Sequence, residues 1–436
     1  MKELRRFASD KYRIVLLLAI IICSIAEGLR QITGIPIVHL GNIIIFVMFF
    51  PLLLRRGAYI LNEPSIRLIL LGGVLFLLFG SLSAILFESD FRLYLWSLRN
   101  YLRFFVLFLD CYLAFDKDDA GAFYRLLDLV IVIHIVLTLI QFFGFGIRWD
   151  YLNGIFGTGM GGNSAVNILL LIITCICLYR FSRDEIKWPV LLLHISWMCY
   201  NAALNELKVY IVELVLALVI FVLVTGEYKR MLKLSPAILV IVYSSMILMY
   251  MLYPYYSAFY ALLFVDFKGF VAEPHHENPD SLGRMYQISG VTKPIMEYAE
   301  SVRAGLGKMA VFTGLGLGSG ELSTIGMFDS RFYLENIRLW YWDFLLSMIY
   351  IETGILGLVI YCGTWLIVPV RACIDRFRNR NRGSLMMILS GTMMIFVMVY
   401  DSALRNNYGY MMWAFLGIVY SAFARGKDEK SKTDIY

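Results

Sequence analysis

Apolar runs long enough to cross a bilayer follow one another from Tyr12 to Ala424, joined mostly by short polar connections. A membrane-spanning helix needs about 20 apolar residues at about 1.5 Å of rise each. By that measure the pattern predicts about twelve helices, near 13–29, 36–54, 66–86, 101–115, 122–143, 165–181, 188–204, 208–225, 234–254, 355–371, 384–402 and 408–424. The alternating segments of a membrane barrel are absent. Between the ninth and tenth runs one long polar stretch, 255–339, breaks the series. The expected fold is therefore an all-α polytopic membrane protein, a single membrane domain over 1–436 that holds one large loop, 255–339, outside the bilayer.

Composition points the same way. Hydrophobic residues make up 60% of the chain and the mean hydropathy is +0.71, which would leave a soluble protein with far too much exposed apolar surface. The start, Met1–Arg13, is basic, but the run that follows ends in Glu27-Gly28 without a small-x-small cleavage site, so it reads as a first span and not a cleaved signal. With Lys2 to Arg6 in the cytoplasm, every inner connection is basic: Arg55-Arg56, Lys117, Arg180 with Arg183 and Lys187, Lys229-Arg230 with Lys233, Arg371 to Arg382, and Arg425 to Lys432. That bias predicts cytoplasmic termini and an extracytoplasmic loop. It also explains most of the net charge of +6, so the charge is no argument for nucleic acid. The seven cysteines lie in or beside apolar runs and read as small hydrophobes, not as disulfides or a metal site.

Ionisable side chains within a membrane cost at least about 2.5 kcal/mol, so each calls for a partner or a task. Arg99 and Arg103 share a helical face at the outer end of the fourth run, with Asp110 seven residues on from Arg103 and near that face. Glu206, Lys208 and Glu213 stand at the outer ends of the seventh and eighth runs, and Arg148, Arg284, Arg303, Arg331, Arg338 and Arg405 fall in outer segments. Forked guanidinium donors suit a diphosphate or a carboxylate. Two readings stay open: pairs such as Arg99/Asp110 and Lys208/Glu213 hold helices together, or the set converges on an anionic ligand.

Four local patterns occur in order. They are Gly154-Ile155-Phe156-Gly157 running on to Asn163; Asn205-Glu206-Leu207-Lys208; Gly283-Arg284 with Gln287, followed by a predicted helix and then Gly314-Leu315-Gly316-Leu317-Gly318-Ser319-Gly320; and Trp340-Tyr341-Trp342-Asp343 with Glu352, Gly354 and Gly357 beyond it. The glycine run lacks the strand–helix context of a dinucleotide loop, which leaves a phosphate-facing turn. Trp342 and its neighbours can stack on sugar faces or form an interfacial belt. His275-His276, set among prolines and polar residues, reads as a solvated turn rather than a metal site.

In order, spacing and topology these patterns resemble the superfamily of O-antigen ligases and O-antigen (capsular or exopolysaccharide) polymerases, and the resemblance covers nearly the whole chain. It implies a GT-C-like membrane glycosyltransferase in which Lys208 and Arg284, with Arg303 as a second candidate, hold a lipid-linked diphosphate. Asp343 stands where ligases carry a histidine that helps to activate the acceptor, and none of the five histidines occupies that position. A carboxylate there can act as general base toward a sugar hydroxyl or serve as a structural acceptor. This departure tilts the expectation from ligase toward polymerase.

The expected site is thus catalytic Asp343, Arg284 and Arg303, with Lys208, Glu206, Arg99, Arg103, Gly316, Gly318 and Trp342 in contact with substrate. No metal or cofactor is expected, because cationic side chains can stabilise the departing diphosphate. The expected function is polymerisation of undecaprenyl-diphosphate-linked oligosaccharide repeat units into surface polysaccharide at the outer side of the bacterial cytoplasmic membrane. Expected partners are the lipid-linked oligosaccharide, the bilayer, a flippase and a chain-length regulator. The alternatives are ligase-type transfer of a finished glycan to lipid or protein, and a flippase, which would place its substrate charges nearer the midplane.

Overall fold

The structure, a computed structural model, describes residues 10–159, 161–253, 280–322, 328–379 and 383–433, with side-chain surroundings as far as Arg425. Among these residues the chain is helical, with no strand. The elements are α1 (Lys11–Ser24), α2 (Ala26–Thr33), α3 (Val38–Arg56), α4 (Ala58–Asn62), α5 (Pro64–Leu86), α6 (Phe91–Ala114), α7 (Lys117–Leu139), α8 (Asn163–Ser182), α9 (Trp188–Leu204), α10 (Lys208–Thr225) and α11 (Tyr228–Leu252). After them come α12 (Ser289–Val302), α13 (Gly307–Thr313), α14 (Arg331–Glu335), α15 (Leu345–Asn379), α16 (Ser384–Tyr400) and α17 (Tyr410–Thr433). Local chemistry sets several boundaries. The Asp10 and Asp90 carboxylates accept from the amides of Tyr12 and Arg92 at 3.0 and 2.8 Å, and Asp116 with Asp119 forms a capping box at the start of α7.

Among the described residues seven helices are each long and apolar enough to cross a membrane: α3, α5, α7 with its extension to Gly144, α8, α10, α11 and α15. The pair α1–α2, bent by 72°, makes an eighth if taken as one span. The remaining expected runs also lie on helices, but length and composition do not qualify them alone. The reason is visible in α6, which carries Arg92, Arg99, Arg103 and Asp110, and in α9 and α16, which have 17 residues each. The most enclosed of the seven is α8, with 83% of its apolar window buried, so it runs through the middle of the bundle. Beside it the core is aromatic: the Trp365 and Trp413 rings lie 4.2 Å apart, with Phe105 and Phe108 against Trp365.

The bundle has two chemically different ends. At one, Arg13 bonds Asp116 and Asp119 at 2.6 and 2.8 Å, Arg56 and Arg425 also reach Asp116, and Arg180 pairs with Asp128 at 2.7 Å. At the other stands the long loop. Its described part has its own small core of Val291, Ile295, Ala299, Phe332 and Tyr341, which continues onto Phe344, Met348 and Ile351 at the head of α15. His275-His276 lies outside the described residues.

One break positions the loop. At Gly354 the backbone of α15 leaves helical geometry (φ 64°), and a Cβ there would stand 2.3 Å from the Phe312 backbone. The break frees carbonyls that an unbroken helix would use. The glycine run takes them: the amides of Leu315 and Gly316 donate to the carbonyls of Ile351 and Glu352 at 2.8 and 2.9 Å.

Candidate functional site

Three groups of polar side chains lie at the loop end, and the short connection 401–409 ties them together. The first gathers around Asp401. Its carboxylate accepts from Ser164 at the head of α8 (3.1 Å) and from the Ala403 amide (2.7 Å). Burial raises its carboxyl to about 6, against the pull of Arg284, while Asp343 adds to the rise. Arg284 stacks over the Tyr400 ring at 4.4 Å and has no ion pair among the described residues. Gln287 holds its segment in place, donating to the carbonyls of Arg284 and Val399 at 3.1 and 3.0 Å, while Ser347 donates to the Gln287 carbonyl at 2.6 Å.

Lys208 completes this group. It lies within the electrostatic reach of Arg284 and pairs with Glu206 at 3.2 Å. The corner that presents them is strained, since Glu206 has φ 59°. Burial raises the Glu206 carboxyl, Lys208 opposes that, and Asp150 adds to it. Asp150 is held by Asn163 at 2.7 Å. The Gly154–Asn163 segment thus borders the same group, anchored by the Thr158 amide on Gln31 at 2.7 Å.

The second group is a buried lock. Arg405 bonds Glu321 at 2.6 Å and approaches Glu352 to 3.5 Å. Glu352 also accepts from the Ser97 hydroxyl (3.0 Å) and the Gly318 amide (2.9 Å), and Asn100 donates to Glu321 at 3.1 Å. The third group is Arg103 with Arg99. Arg103 donates to the Arg405 carbonyl at 2.5 Å and to the Tyr410 hydroxyl at 3.1 Å, and Tyr410 bonds Asn42. Arg99 lies 3.9 Å over the Trp96 ring.

The structure therefore brings Arg284, Lys208, Glu206 and Asp343 into one neighbourhood and separates others from it. Arg303 is exposed at the end of α12, and none of the contacts that join this neighbourhood reaches it. Arg99 and Arg103 belong to the third group. Gly316 and Gly318 do not face a ligand: they are buried, their amides bond Glu352, and their positive-φ backbones press on Ala84 and Leu93. The turn reads as a close approach of loop to helix, not as a phosphate cradle. Trp342 is half-buried and packs on Tyr333 and Trp340, at 5.0 and 5.1 Å between ring centroids. The pairings Arg99/Asp110 and Lys208/Glu213 are not formed: Asp110 and Glu213 are buried in α6 and α10 without an ion pair among the described residues.

Asp401 falls inside the apolar run 384–402, so hydropathy alone hides it. Its signal is an acid at the outer end of a run, just where α16 stops. Among the described residues no group of three or more His, Cys, Asp or Glu side chains is placed to hold a metal ion. No protein-family model, curated protein or solved structure matches the chain.

Proposed function

We propose that the chain is a membrane glycosyltransferase that polymerises undecaprenyl-diphosphate-linked oligosaccharide repeat units into surface polysaccharide. In this reading the loop end faces the outside of the bacterial cytoplasmic membrane and both termini face the cytoplasm. The observation that carries it is the convergence of Lys208, Arg284, Asp401 and Asp343, which come from four separate stretches of chain, beside the mouth of an apolar bundle. Two cations side by side, Arg284 and Lys208, suit the developing charge of a departing diphosphate. A buried carboxyl raised to about 6 suits removal of a proton from a sugar hydroxyl near neutral pH.

Each step then has a residue. Arg284 and Lys208 hold the diphosphate. Asp401, or Asp343 beside it, takes the proton as the acceptor oxygen attacks the anomeric carbon and the carbon–oxygen bond to the diphosphate breaks. Trp340 and Trp342 offer ring faces at the rim for sugar stacking.

The test uses purified full-length protein in detergent, supplied with lipid-linked repeat units. A polymerase builds a ladder of products on a gel without a membrane to transport across. Unchanged substrate in that assay, together with translocation in sealed vesicles, sinks this reading in favour of a transporter.

A further inference from the structure

Among the described residues Arg99 and Arg103 have no carboxylate partner of their own. Arg103 is buried and donates to three acceptors, the Arg405 carbonyl, the Tyr410 hydroxyl and the Asn407 side-chain oxygen at 3.4 Å, and all three are neutral. Arg99 donates to the neutral Asn100 side chain at 3.0 Å. The Nε of each is buried without a hydrogen-bond partner. The acid whose field reaches Arg99, Glu321, is bound to Arg405 at 2.6 Å. His39 lies within reach of both guanidinium fields. Burying an unpaired ion is costly, and here a buried one, Arg103, and a half-buried one, Arg99, lie one helical turn apart. An anion would remove that cost and satisfy both free Nε–H groups.

The surroundings indicate what carries the anion. His39 is exposed at the head of α3, and Ile43, Val47, Phe50 and Leu54 continue its face down the helix, all exposed to the surroundings of the bundle. An anionic head seated on Arg99 would therefore have an apolar stripe leading away from it into the bilayer. Trp96, stacked on Phe328 at 4.7 Å, fixes the plane on which Arg99 rests.

We infer that the His39–Arg99–Arg103 notch is a second site for a phosphate-bearing lipid, separate from the Arg284–Lys208 group, and that it holds the acceptor lipid while the first group holds the donor. The assignment of donor and acceptor rests on the proposed polymerase activity; the anion site itself does not. Polymerisation joins two lipid-diphosphate substrates, and the chain offers two cationic places flanking one connection. Asp401 belongs to the first of them, while Asn407 and Tyr410 line the second.

Native mass spectrometry of the full-length protein with undecaprenyl diphosphate tests this. Two lipids should bind per chain. Arg99→Gln with His39→Gln should leave one, Lys208→Ala with Arg284→Ala should leave the other, and the four together should leave none. Arg103→Lys keeps the charge and should keep both lipids, which separates charge from packing. Two lipids on the Arg99/His39 variant overturn the second site and leave the first standing. A wild type that binds one lipid, lost only through Arg99 and His39, upholds the notch and sinks the Arg284–Lys208 reading. No lipid on the wild type sinks both. Phosphatidylglycerol or inorganic diphosphate displacing the second lipid as readily as undecaprenyl diphosphate overturns the acceptor assignment.

Discussion

In the proposed transfer Asp401 and Arg284 carry opposed tasks, one taking a proton and one holding negative charge. With its carboxyl raised to about 6 by burial, Asp401 acts as a base only when ionised, so activity should fall as pH drops through about 6 and level off above it. Asp401→Asn should lower turnover by about 100- to 10,000-fold and remove that acidic limb. An unchanged acidic limb in this variant would pass the role of base to Asp343. Arg284→Ala should reduce polymer formation by about 100- to 1,000-fold, the usual cost of losing one donor to a developing oxyanion. Its side chain stacks on Tyr400 without an ion pair among the described residues, so its loss should leave expression and insertion intact. Normal ladders from that variant would remove Arg284 from the site.

At the scale of elements, the decisive pieces are the connection 401–409 and the glycine turn, and both work by close approach. A Cβ on Gly316 would lie 2.2 Å from the Ala84 backbone, at φ 98°. Gly316→Ala should therefore destabilise the protein by more than about 2 kcal/mol, read as a fall in melting temperature in detergent. Arg405→Leu should cost about 3–5 kcal/mol, because it leaves Glu321 and Glu352 buried together without a cation. Adding Glu321→Gln and Glu352→Gln to Arg405→Leu should recover much of that loss. Much of the fold was legible in the sequence, since hydropathy period and basic connections locate helices without any knowledge of their partners. Contacts such as Arg103 to the Arg405 carbonyl, 302 residues away along the chain, leave no periodic trace. The glycine run showed the same gap. Its spacing signals tight turns, but whether the turn faces a ligand or a helix depends on what lies opposite, and Glu352 lies opposite.

For the molecule as a whole, the two ends of the bundle divide the labour. The end built on Asp116 and its arginines ties α1, α3, α6 and α17 together through ion pairs and carbonyl contacts. At the loop end Arg99, Arg103 and Arg284 have no ion pair among the described residues, and the Nε of each lacks a hydrogen-bond partner there. The proposed chemistry requires that second end to face the compartment where the glycan is presented, and the basic connections predict a cytoplasmic first end. Cysteine labelling can decide this, because five native cysteines are buried and Cys362 and Cys373 are half-buried, which keeps background reaction low. Lys308, exposed on α13, and Glu185, exposed between α8 and α9, mark the two ends. Lys308→Cys should react with a membrane-impermeant maleimide in intact cells, and Glu185→Cys only after permeabilisation. The reverse pattern would put Arg284, Lys208 and Asp401 on the cytoplasmic side and overturn the outward-facing polymerase, whatever the activity of the variants.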